Sequence, residues 1–150
     1  MPGPDSAFEL HPQLAADTRP VGDLLLSRVL LMDNARFPWI LLVPRRPGLR
    51  EMIDLPDSEQ AVLHGEIAAA SRAMRTLFAP DKLNVAAIGN VVPQLHVHVV
   101  ARFERDEAWP KPTFGFAPPV PYEEAEAGPL VRRLAAALGG IALATGRGSP

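Results

Sequence analysis

The stretch "LPDSEQAVLHGEIAAASRAMRTLFAP", residues 55–80, constrains the fold of this chain more than any other. Leu63, Ile67, Ala70, Met74, Leu77 and Phe78 recur at the spacing of a helix with one apolar face. Asp57 reads as the N-cap, Gln60 stands three residues on as in a capping box, and Pro80 closes the run. The spacing predicts a helix over about 57–78, roughly 30 Å long at about 1.5 Å per residue. A helix with one greasy stripe has to cover something, and the remaining apolar runs read as strands.

Residues 23–32 ("DLLLSRVLLM") and 37–45 ("FPWILLVPR") are short, apolar and rich in branched side chains, with the polar "DNAR" between them. Two such runs around a short turn predict an antiparallel hairpin, with Pro38 at a strand start or edge, where a missing N–H is tolerated. Residues 83–92 read as a strand entering a turn at Gly89-Asn90, and residues 94–103 as the strand that follows. Residues 129–144 read as a C-terminal helix, weakened at Gly139-Gly140. The 17 prolines gather near the start and between residues 110 and 129, which predicts extended or looped chain there. The fold class is therefore α+β, an antiparallel sheet with helices on one face. At 150 residues a single domain over 1–150 is expected, frayed at 1–7 and 144–150.

Composition removes several functions. A net charge of −2 gives non-specific nucleic-acid or membrane binding no electrostatic support. The absence of cysteine removes disulfides, thiolate zinc sites and cysteine nucleophiles together. The N-terminus lacks a basic start followed by an apolar core, and no apolar run approaches the ~18–20 residues that span a bilayer. A soluble, cytoplasmic protein is expected.

The chemistry concentrates in Gln94-Leu95-His96-Val97-His98-Val99-Val100, which holds two of the four histidines. Strand alternation puts Gln94, His96 and His98 on one face and Leu95, Val97 and Val99 on the other, against a helix. Three readings follow. The row could be the wet face of an ordinary strand. It could be a metal site, with Glu104 as third ligand, which resembles a loose cupin motif. Or an imidazole could attack phosphorus while a second donor on the same face holds the phosphate oxygens.

The heptad also resembles the signature of the histidine-triad (HIT) superfamily of nucleotide hydrolases and transferases, His-φ-His-φ-His-φ-φ with φ apolar. Six of its seven positions match, and glutamine replaces the first histidine. "WILLVPRR" before the helix, "LNVAAIGN" before the motif and "EAWPKPTFG" after it resemble that family's layout, so the likeness runs from about residue 23 to 115. It implies about five antiparallel strands with a long helix, often paired across a two-fold axis. It implies a nucleophile at His96 and a phosphate-orienting group at His98. Gln94 completes the catalytic row as an amide that can orient but cannot titrate near neutral pH. Asn84 and Asn90 fall where the family places polar groups near phosphate and ribose. Asp33 and Asn34 fall near its ribose position, and Trp109 could cover a base or seal a dimer interface. The expected partner is a nucleotide or nucleoside phosphate, handled without metal or cofactor. The alternatives are a HIT-like module that binds nucleotides without turnover, or a cupin-like metal protein. A homodimer is expected because "WILLVPR" and "AWPKPTFG" carry more apolar surface than one small sheet buries.

Overall fold

The computed structural model describes residues 7–141. Of the segments expected to fray, 1–7 and 144–150, all but Ala7 lie outside them. Five strands form one antiparallel sheet: β1 (Thr18–Asp23), β2 (Ser27–Met32), β3 (Trp39–Pro44), β4 (Lys82–Ala86) and β5 (Val97–Arg102). Their spatial order is β1-β2-β3-β5-β4, so β5 inserts between β3 and the edge strand β4. The helices are α1 (Pro12–Asp17), α2 (Asp57–Phe78) and α3 (Glu124–Ala137).

The long helix spans the expected residues, but its cap differs. Pro56 occupies the N-cap position with no side-chain cap, and Asp57 is the first helical residue. Its carboxylate and that of Glu59 lie in the first turn, where they favour the helix dipole. Gln60 Nε2 reaches back to Leu55 O at 2.8 Å. Ala79 ends the helix at φ +46 in the left-handed conformation of a C-cap, its N–H donating to Arg75 O, and Pro80 cannot continue the helix.

Alternation sorts the sheet into two faces. Val97, Val99 and Ala101 of β5 pack with Val29, Leu31, Ile40 and Leu42 against Ala70, Ala73 and Met74 of α2 and Leu134 of α3. Leu95 joins Leu26, Leu55 and Leu63 nearby. Burying each Leu- or Val-sized side chain there stabilises the fold by about 1.5–3 kcal/mol. Trp39, Leu41, Val43 and Val100 occupy the other face, under Leu14 of α1, Val92, Ala108 and the partly buried Phe8, Leu10 and Phe114.

Four local expectations are corrected. Residues 23–32 are not one strand. Asp23 ends β1, residues 24–26 turn, and Leu25 is 80% exposed. β1 itself was hidden because it carries Pro20 and a bulge between Pro20 and Gly22, which an edge strand tolerates. Pro12 read as a loop former, yet it sits in the first turn of α1, where proline is favoured. The C-terminal helix starts before Pro129 and ends at Ala137, just ahead of the two glycines, both at positive φ. The surplus apolar surface expected on "WILLVPR" is absent, since β3 is buried along its whole length within one chain. Among the described residues no helix is long and apolar enough to cross a membrane.

Candidate active site

His96 stands just before β5 and His98 in its second position, both on the face away from α2, as alternation requires. Their ring centroids are 4.9 Å apart in an edge-to-face arrangement. Both are more enclosed than a wet strand face would be, at 6% exposure each. Leu41 is directly opposite His98 in the sheet, and Trp39 opposite Val100. That register brings the Trp39 indole beside His98.

The hydrogen bonds set the tautomer of each neutral ring. Trp39 Nε1 donates to His98 Nδ1 at 3.0 Å. An indole N–H can only donate, so His98 Nδ1 is bare and its proton sits on Nε2. Burial, and then the charge of His96, pushes the His98 imidazole down to about 4, so it is a neutral donor at physiological pH. His96 Nδ1 lies 2.7 Å from the carbonyl oxygen of Gln94. A carbonyl can only accept, so His96 carries a proton on Nδ1, and in the neutral ring the lone pair is the one on Nε2. The pair thus presents a nucleophilic nitrogen beside an N–H donor. Phe114 closes the far side of His98, with centroids 4.9 Å apart, and meets Trp39 at 5.5 Å.

Gln94 is committed to the chain itself. Its Oε1 accepts from His11 N at 2.8 Å and its Nε2 donates to Glu9 O at 2.9 Å. The amide pairs with the backbone of the N-terminal segment as a neighbouring strand would. It holds that segment along the histidine face, where Phe8 and Leu10 pack.

His96 lines a small recess with Arg50, Glu51, Ala87, Ile88, Gly89 and Leu95. A larger cavity of about 310 Å³ adjoins it, sharing Arg50, Glu51, Ile88 and Gly89 and adding Asn90 and Pro93. Gly89 adopts φ +67, and a Cβ there would stand 3.3 Å from Val92 O, so the turn is tight and suits glycine. Asn90 is exposed at this mouth.

The other sequence candidates lie apart from this recess. Asn84 Oδ1 accepts from Arg102 Nη1 at 2.8 Å. Arg102 is buried, bonded to Asp106 at 2.8 and 3.1 Å and to Lys111 O at 2.7 Å, with Phe37 and Trp109 rings against its guanidinium. Burial would raise the Asp106 carboxyl, but Arg102 and two backbone amides hold it at about 2. Arg102 therefore meets a carboxylate, and Trp109 covers a guanidinium. This cluster is four residues along β5 from His98, roughly 13 Å. Asp33 faces Arg19 Nε at 3.1 Å and accepts from Tyr122 N at 2.9 Å. Asn34 Oδ1 accepts from Arg36 N and Val120 N. Glu104 leaves the sheet, and its amide donates to Asp81 Oδ2. Among the described residues, no three His, Asp or Glu side chains cluster to hold a metal. Sequence reasoning missed Trp39, Phe114 and Arg50. Only Trp39 left a signal, as an aromatic at a strand start, and its use depends on which strand lies beside it.

The chain as a whole is similar to known proteins. A family model described as HIT domain matches residues 13–105. A histidine triad protein from Marinobacter aquaeolei VT8 is 47% identical, with a TM-score of 0.87 over 90% of this chain and 98% of that one. One from Bradyrhizobium japonicum is 46% identical, with a TM-score of 0.86 over 88% and 98%. One from Sinorhizobium meliloti 1021 is 37% identical, with a TM-score of 0.84 over 86% and 96%. No curated protein is similar enough to match.

Proposed function

The chain belongs to the HIT domain family, and on that premise we propose that it binds a nucleotide or nucleoside phosphate and cleaves or transfers it at the α-phosphate through His96. The observation that carries the reading is the tautomer pair: His96 offers a lone pair on Nε2 while His98 offers a proton on its own Nε2. In the proposed step, His96 Nε2 bonds to the α-phosphorus and the bond to the leaving oxygen breaks. His98 donates to a phosphate oxygen as its charge grows. Water or another acceptor then displaces His96. Asn90, exposed at the mouth of the larger cavity, would lie toward the phosphates. Family membership sets the cupin alternative aside.

Because Gln94 cannot supply a proton, the leaving group departs as an anion and should be a good one, such as pyrophosphate. The same residue favours the second reading, a module that binds nucleotide without turnover. The test is covalent trapping. Incubation with a labelled AMP donor and acid-free denaturation should leave one AMP on wild type and none on His96→Ala. Wild type that binds AMP but is never labelled establishes the binding module instead. A two-fold pair of copies in the cytoplasm belongs to this reading, and a dimeric mass by light scattering at micromolar protein checks the pairing.

A further inference from the structure

Arg50 lines both the His96 recess and the larger cavity beside it, and its backbone is held there from two sides. Leu95 N donates to Leu49 O at 3.0 Å, which ties the residue before Arg50 to the residue before His96. Asp54 Oδ2 accepts from Glu51 N at 2.8 Å and from Arg50 N at 3.1 Å. Those two bonds hold the Asp54 carboxyl below its ordinary range, and the Arg50 charge adds to them. The neighbouring arginines are engaged elsewhere. Arg46 pairs with Glu59 at 3.0 Å, and Arg45 donates to the carbonyls of Leu24 and Leu25. Within the described residues the Arg50 guanidinium makes no hydrogen bond or ion pair. Glu51, the carboxylate on the same rim, accepts from the Asp54 amide as part of a capping box, so it is bound to its own turn.

We infer that Arg50, facing the Gly89-Asn90 turn across this cavity, forms the subsite for the leaving group and selects a phosphate-bearing one. The inference rests on the reading that His96 attacks the α-phosphate. In that step the bond between the α-phosphorus and the bridging oxygen breaks, and the electron pair stays on the departing phosphate. No titratable group at position 94 neutralises it. A guanidinium that has no hydrogen-bond partner among the described residues, on a residue that lines the cavity, would meet that charge without transferring a proton, and its planar fork suits phosphate oxygens. The substrate class is therefore a nucleotide whose α-phosphate carries a further phosphate.

The test compares ATP with the p-nitrophenyl ester of AMP, which shares the attacked phosphorus but has no phosphate in its leaving group. Arg50→Gln should lower the ratio of kcat/KM for ATP to that for the ester by about 10–100-fold, the usual worth of a hydrogen bond to a charged group. Arg50→Lys should recover part of the loss. An unchanged ratio overturns the subsite. If wild type turns over neither compound, calorimetric affinities for ATP and AMP replace the rates. Arg50→Gln should then reduce the preference for ATP, and an unchanged preference overturns the subsite. Wild type that binds neither nucleotide refutes the nucleotide reading itself, and this inference with it. Arg50 is exposed, so its variants should keep the thermal melt of wild type, and a lowered melt would overturn the assignment in favour of a structural role.

Discussion

Replacing His98 with asparagine should change how stability depends on pH, by an amount set by its surroundings. His98 is 6% exposed, and its imidazole falls from an ordinary 6.5 to about 4, through burial first and then the charge of His96. Unfolding returns it to water, where it takes a proton below about 6.5. Above that pH neither state holds the proton, and the shift costs nothing. Between 6.5 and 4 the unfolded chain binds a proton that the folded chain refuses, so the folded state loses stability as pH falls. At about 1.36 kcal/mol per pH unit, the gap between 6.5 and about 4 amounts to about 3 kcal/mol. Urea unfolding of both proteins at intervals from pH 7.5 to 4 measures this. Wild type should lose about 3 kcal/mol more than His98→Asn across that range, with the curves converging as pH drops. Parallel curves would show that His98 is not held neutral, and the assignment of its Nε2 proton would fall with it.

Trp39→Phe should cost about 1–3 kcal/mol by leaving His98 Nδ1 unpaired, and turnover should fall because the ring is free to take the other tautomer; an unaltered melt and rate would refute this. His98→Ala should slow turnover of any AMP donor about 10²–10³-fold, the cost of one charge-stabilising donor, measured under saturating substrate. Gln94→Ala should release residues 9–11, seen as faster amide exchange at His11. Asp106→Asn should destabilise the fold by about 3–5 kcal/mol, because it leaves the buried Arg102 charge without its carboxylate; a denaturation midpoint like that of wild type would contradict that account.

What the sequence disclosed was what local periodicity can carry. The 3.6-residue rhythm of 57–78 and the two-residue rhythm around His96 and His98 each report a face, and both faces are where the rhythm puts them. β1 was invisible because Pro20 and Gly22 interrupt any strand pattern, and only its pairing with β2 makes it one. The partners of the site were not legible for a different reason. Trp39 reaches His98 only because β5 inserts beside β3, and strand order leaves no trace in either segment alone. Asn84 shares the histidine face, yet its carbonyl is taken by Arg102, a contact that depends on the register of β4 with β5. Gln94 read as the orienting amide of a catalytic row. In the fold its amide is a fastening for Glu9 and His11, more than 80 residues away in the chain.

The two edges of the sheet are not alike, and the difference sets how far copies of this chain can be joined through it. At β1 the proline and the bulge spoil the ladder of donors and acceptors that another strand would need. At β4 a strand without proline has β5 on one side and, among the described residues, no strand on the other, with Val85 47% exposed. A sheet with one blunted edge and one open edge can be extended only once. Two copies that meet at β4 present a blunted β1 at each outer end, so continuous polymerisation of the sheet has no surface on which to proceed.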